Sequence, residues 1–268
     1  MRRGILASRD ELHALRKRIN QAPFDTIYNL LHTRCNLILE TSPVTERHWR
    51  TNWQQGQWGA ALTAARTAQG RMFDLLVAHH IDRNQAYRDR AIEELTDLVG
   101  WSTWTDPCHG NTPADLCTAE AAVAVTIALD WMWEDLDAGI RNRALQALRT
   151  MGLGAYLRGI DADAWWAECY HNWNAVLNGG GGLAAMALAD EDDDAARALR
   201  AAETNLPHFL HAISTDGGWD EGTGYWGYAM RYFLLYAEAR ARLLDDRDPL
   251  HHRGVDATGQ FPEIGRAH

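Results

Sequence analysis

Cysteine is scarce in this chain. Cys35, Cys108, Cys117 and Cys169 are its four cysteines, too few and too scattered for a disulfide framework. Cys108-His109 with Cys117, or Cys169 with His171, lacks the paired spacing of a zinc site, so neither a metal nor another cofactor is expected. No apolar run is long enough to cross a bilayer, which argues against an integral membrane protein, and no membrane partner is expected. No stretch rich in Pro, Gly and Ser divides the chain, and its 268 residues lie near the upper size of one hydrophobic core. Residues 1–268 therefore read as a single domain. Basic charge is also short, with 26 Lys and Arg against 36 Asp and Glu and a net charge of −10. Nucleic acid is excluded as the main partner, because phosphate neutralisation needs a basic face. The same charge suits an anionic sugar poorly, yet net charge governs steering rather than site chemistry, and a locally cationic cleft could still accept one. The basic start, Met1 to Ser8, passes into Arg9-Asp10-Glu11 without the apolar core of a secretory signal. Either the protein stays inside or a signal has been removed, so periplasm and cytoplasm both remain open.

Alternating strand patterns are missing as well, and what replaces them is helical periodicity almost everywhere. Ser8 followed by Glu11 fits a capping box, after which Leu12, Leu15 and Ile19 fall on one helix face. Further helices are expected at about 24–39, 59–80, 84–99, 114–133, 137–151, 172–189, 192–213 and 224–244, separated by turn residues. Near Pro113, Leu116, Ala119, Val123 and Ile127 repeat as one buried stripe while several alanines keep the other faces small, so this helix should pack on more than one side. Such a series suggests antiparallel hairpins in a ring or solenoid rather than a four-helix bundle. Ten of the twelve tryptophans cluster in pairs: Trp49 and Trp53, Trp101 and Trp104, Trp131 and Trp133, Trp165 and Trp166, Trp219 and Trp226. Most are expected in core packing; the others would be flat platforms for the apolar face of a pyranose.

Two segments are too unusual for packing alone. Cys169-Tyr170-His171-Asn172-Trp173-Asn174-Ala175-Val176-Leu177-Asn178 leads into four glycines, Gly179 to Gly182. Glycine inside a helix costs about 1 kcal/mol relative to alanine, so this run implies backbone contact or room for a ligand at a crowded centre. His171, Asn174 and Asn178 would share one helix face; the simpler alternative is a buried, hydrogen-bonded polar cluster. The second segment, Asp216-Gly217-Gly218-Trp219-Asp220-Glu221-Gly222-Thr223-Gly224-Tyr225-Trp226-Gly227-Tyr228, is a glycine-broken loop dense in carboxylates and aromatics just before a helix. Such loops commonly present side chains to a cleft, although acidic residues at a helix start also stabilise its dipole.

Together these segments resemble the paired signatures of the heparinase II/III-like and alginate-lyase superfamily, His-Asn-Trp-Asn…Asn-Gly-Gly and Asp-Gly-Gly-Trp-x-Glu-Gly-x-x-Tyr. Asp115 to Glu120, continuing through Asp130-Trp131, is similar to a further helix of that family, so the likeness spans roughly residues 100–240. The resemblance implies an all-α fold, an incomplete (α/α) toroid of antiparallel hairpins, and lyase action on a uronic-acid polysaccharide or oligosaccharide. It implies proton transfer by His171 and Tyr225, with Asn172 beside the substrate carboxylate. Trp173, Asn174, His109 and Glu221 are expected to contact the sugar, as are Trp226, Tyr228 and Arg231. Family members carry a β-sandwich domain after the toroid, whereas this sequence reaches His268 where that domain would begin. Weak activity, an uncovered apolar face and self-association through it are the expected consequences.

The chemistry suits these side chains. Elimination removes the proton at C5 of a uronate and expels the oxygen at C4, so the carboxylate must first be neutralised, a role for an amide or a cation. An imidazole, ordinarily titrating near ~6.5, is placed to act as base, and a phenol, near ~10, to act as acid unless a cation such as Arg231 favours its ionised form. Hydrolysis by Asp216, Asp220 and Glu221 is an alternative, but leaves the His171 segment unexplained. A non-catalytic glycan-binding module is the third.

Overall fold

The computed structural model describes Met1, residues 3–190 and residues 192–264, and every regular element among them is helical. Helix α1 (Arg9–Ala14) opens on the expected capping box, Ser8 Oγ accepting from the Glu11 amide while Glu11 accepts from the Ser8 amide at 2.7 Å. Next come α2 (Phe24–Leu39), α3 (Glu46–Gln54), α4 (Ala60–Asp82), α5 (Gln85–Val99) and α6 (Leu116–Met132). Then follow α7 (Ala138–Ala147), α8 (Gly154–Asp161), α9 (Asn172–Leu188), α10 (Asp193–Ala212), α11 (Gly222–Leu243) and a last turn, α12 (Phe261–Ile264).

Two departures from the sequence pattern have local causes. Helix α3 was not expected: its sequence, ERHWRTNWQ, is almost wholly polar. It is held by the Thr45 cap on the His48 amide, by burial of Trp49, and by the Glu46 carboxylate, which accepts from Ser102. The helix expected to stop near residue 151 continues to Asp161 through a π turn at Leu148–Leu153. Gly152, just past the expected end, packs against Ala122 and Trp104.

Helices α6 and α9 form the interior. Every residue of α6 is buried, which explains its small faces: α4, α5, α7, the π turn and α9 all pack on it. Helix α9 lies against α6, α10 and α11, and its four glycines make this approach possible. A Cβ on Gly179 would meet the Tyr232 carbonyl oxygen at 2.7 Å and one on Gly182 the Tyr236 ring at 2.5 Å, both on α11. Gly180 faces Ala119 of α6, and Gly181 the Tyr156 ring of α8. One hydrophobic cluster extends from Ile5 to Ala239. Its N-terminal edge is tied down by Asp130, whose carboxylate accepts from the Gly4 and Ile5 amides at 2.7 and 2.9 Å. Most tryptophans serve this packing, including Trp49, Trp104 and Trp166, whereas Trp58 and Trp165 are exposed.

The glycine-rich loop before α11 is clamped by the following segment. Gly217 has φ +84°, and a Cβ there would lie 2.5 Å from the backbone of Ala257 and Thr258. Thr258 Oγ donates to the Gly217 carbonyl at 2.8 Å.

Overpacking at the α9–α11 contact should be costly. Gly182→Ala is expected to destabilise by about 2–3 kcal/mol, whereas Gly70→Ala, in α4 with no atom near its would-be Cβ, should stabilise by about 0.5–1 kcal/mol. Urea midpoints of the two variants check this, and equal effects would refute the contact's role.

Candidate active site

A cleft of about 880 Å³ opens where the N-terminal ends of α9 and α11 meet α4 and the turn at Pro107–His109. Of the residues singled out from the sequence, His109, His171, Asn172, Trp173, Glu221, Tyr225, Tyr228 and Arg231 line it. They come from three stretches far apart in the chain.

The joint between α9 and α11 sets the geometry. His171 is the N-cap residue of α9 in extended conformation, yet its side chain makes no capping bond. Glu221, at the start of α11, caps α9 instead. Its carboxylate accepts from the Asn172 backbone amide at 2.7 Å and from Asn172 Nδ2 at 2.9 Å. An anion at a helix N-terminus satisfies free amides and complements the dipole. The imidazole of His171 is thereby left to the cleft, with Cys169 Sγ 3.8 Å from Nδ1 and the Trp165 ring 5.4 Å away. Asn172 keeps one amide hydrogen for a ligand, and its buried Oδ1 has no hydrogen-bond partner among the described residues.

An aromatic wall continues from there. Trp173 stands 4.9 Å from Trp165 and 4.8 Å, edge-on, from His109. His109 Nδ1 is 2.8 Å from the buried carboxylate of Asp115, the cap of α6. That hydrogen bond raises the His109 pKa above the ordinary imidazole value, outweighing the opposing effect of burial.

The opposite side carries cations. Arg66, on α4, donates from Nε to Glu120 at 2.9 Å and lies over the Tyr228 ring at 4.5 Å. Glu120 is fully buried on α6 and also accepts from the Tyr232 hydroxyl, which in turn accepts from Gln69 at 2.9 Å. Arg66 also interacts with the Tyr228 hydroxyl, and the exposed end of its guanidinium faces the cleft, where it can meet a planar anion. Tyr228 is pushed up by burial and then by Glu120, which keeps the phenol protonated, and its hydroxyl interacts with both Glu120 and Arg66. Tyr225 and Arg231 are exposed at the mouth, and Arg231 has no ion-pair partner among the described residues.

Two expected contacts lie elsewhere. Asn174 is fully buried and donates to the carbonyls of Ala167 and Asn205 at 2.6 and 3.1 Å. Asn178 joins it, accepting from the Tyr156 hydroxyl at 2.7 Å. The polar face of α9 is therefore a buried hydrogen-bonded cluster behind the cleft, not part of its lining. Trp226 turns away from Tyr225 and donates to Thr258 at 2.8 Å. Of the three carboxylates considered for hydrolysis, Glu221 alone lines the cleft and is engaged with Asn172; Asp216 instead accepts from Ser214 and the Gly218 amide within its own loop. Among the described residues no cluster of three or more His, Cys, Asp or Glu is placed to hold a metal, and no helix is long and apolar enough to cross a membrane.

Arg66, Glu120 and Trp58 were not anticipated from the sequence. Arg66 gave one weak signal, a lone cation on the alanine-rich face of α4. No protein-family model matches this chain, and a search of curated proteins finds no match.

The His109–Asp115 pair makes a signed prediction. Because the folded-state pKa is raised, the pair's stabilisation is fully present below the unfolded imidazole value of about 6.5 and is lost as pH rises through the folded value. In an NMR titration His109 should therefore have a midpoint above about 6.5, and Asp115→Asn, which keeps the helix cap, should lower it. An unchanged midpoint would show that Asp115 does not govern this imidazole.

Proposed function

We propose that this chain is a polysaccharide lyase of the heparinase II/III-like and alginate-lyase kind, cleaving a uronic-acid glycan by β-elimination. In this proposal its helical hairpins form an incomplete toroid around the cleft. The observation that carries the reading is the joint lining of one cleft by His171 and Tyr225 together with Arg66, His109 and Arg231. A base, an acid and three potential cations then share a space large enough for a sugar unit.

The assigned roles follow from chemistry. Arg66, through the exposed end of its guanidinium, and protonated His109 neutralise the uronate carboxylate and stabilise the charge that develops on deprotonation at C5. The unengaged amide hydrogen of Asn172 adds a donor. His171 takes the C5 proton; the electrons of that C–H bond form the C4–C5 double bond as the C4–O bond breaks. Tyr225 gives its phenolic proton to the departing oxygen. Tyr228, kept protonated and lying under Arg66, holds the guanidinium in position. No step requires a metal or redox cofactor.

Tyr225→Phe is expected to lower elimination by about 10²–10⁴-fold with unchanged thermal stability, the range lost with a positioned acid, whereas Arg66→Gln should both raise KM and lower kcat, because it removes charge that binds the carboxylate and supports the developing enolate. The assay is ultraviolet absorbance of unsaturated uronate product on a panel of uronic-acid polymers. New reducing ends without that absorbance would indicate hydrolysis, and saturable binding with neither would indicate a glycan-binding module; either result refutes the lyase assignment.

A further inference from the structure

A second cavity of about 530 Å³ lies behind the aromatic wall of the cleft, between the turn after α8 and the start of α9, and Trp165 and Asn205 both line it. Trp165 is 57% exposed. It packs on His171 and Trp173, which belong to the main cleft, so one indole separates the two spaces. Asp163 and Glu168 also line the second cavity. Both carboxylates are exposed, and neither has an ion-pair or hydrogen-bond partner among the described residues. Asn205 is 8% exposed; its backbone carbonyl is used by Asn174, but its side-chain amide has no partner among the described residues. This largely buried side chain borders a cavity with an open indole on one side and two free acceptors on another.

We propose that this cavity is a sugar-binding subsite for a residue that carries no acid group. A free indole face suits the apolar face of a pyranose, the two carboxylates suit its hydroxyls as bidentate acceptors, and Asn205 supplies a buried donor and acceptor. Cations line the main cleft, whereas this cavity presents two unpaired anions. A uronate would meet like charge beside Trp165, and an uncharged sugar would not. Resting on the lyase assignment, the pairing implies a glycan in which a uronate neighbours an uncharged sugar, rather than a run of uronates.

The test uses two probes, tetra-N-acetylchitotetraose as the uncharged oligosaccharide and tetragalacturonate as the all-acid one. Binding is followed by the side-chain amide resonances of Asn205, which lines this cavity and not the main cleft, identified by their loss in Asn205→Ala. The uncharged tetramer should shift these resonances at concentrations where tetragalacturonate does not. The double substitution Asp163→Asn with Glu168→Gln should bring tetragalacturonate in, tightening its binding at Asn205 by about fivefold. Trp165→Ala should weaken the uncharged tetramer by about tenfold. If tetragalacturonate shifts Asn205 in the unaltered protein, or if the uncharged tetramer leaves Asn205 unmoved at any concentration, the subsite is refuted. A chain that eliminates no uronate polymer but still shows the selective Asn205 shift would refute the lyase assignment and keep the subsite.

Discussion

The rest of this structure depends on the closeness with which α11 lies along α9. At Gly179 and Gly182 the backbone of α9 is within side-chain contact distance of Tyr232 and Tyr236, an approach that any Cβ would prevent. Helices separated by ordinary side chains stand about 8–10 Å apart; here the missing side chains draw the axes in and fix the N-terminal ends of both helices side by side. Glu221, at the start of one, can then cap the other. Without that cap His171 would be the residue best placed to satisfy the α9 amides; with it, the imidazole is released to the cleft. A run of glycines in the interior thus governs the orientation of one ring at the surface.

The electrostatics follow a similar logic of placement over quantity. A chain with net charge −10 nonetheless gathers Arg66, Arg231 and His109 around one opening. Arg66 is held by a buried carboxylate that would itself be prohibitively costly without a cation and hydroxyl partner, so Glu120 fixes the guanidinium while occupying only its Nε. The same arrangement recurs with Asp115 and His109, a buried carboxylate holding a cleft-facing imidazole by its Nδ1. In each case the acid is behind and the base in front, so that the acidic balance of the chain as a whole does not set the sign of this cleft.

Much of this was legible in the sequence and some was not, for reasons the residues make plain. The glycine run and the two polar segments are local features, and a run that breaks helix propensity so severely has few physical explanations. Capping at Ser8 and the packing of α6 on more than one side were readable for the same reason. Spacing along a helix was a less reliable guide. Asn174 lies about 200° around α9 from Asn172, and Trp226 about 100° around α11 from Tyr225, at about 100° per residue, so both left the cleft although each is within two positions of a lining residue. Arg66 and Glu120 were invisible because they belong to different helices, and only the register of α4 on α6, decided by packing of small residues, brings them together. Helix α3 escaped notice because its stability comes from tertiary contacts of Trp49 and Glu46 rather than from an apolar stripe.

The aromatic wall shows why position relative to charge matters more than the aromatic itself. Trp173 is bracketed by His109 and Trp165, and Trp165 by Trp173 and the open cavity beside Asp163 and Glu168. Any flat apolar face can accept a pyranose with little discrimination, because stacking responds to shape and desolvation rather than to the pattern of substituents. Discrimination has to come from the polar groups around each face. Trp173 shares its cleft with Arg66 and Arg231, while the outer face of Trp165 shares its cavity with two unpaired carboxylates. If sugars bind on both sides, adjacent indoles of the same chemistry would favour neighbouring units of different charge. The order of units along a bound glycan would then be set by four ionised side chains and not by the stacking that holds it.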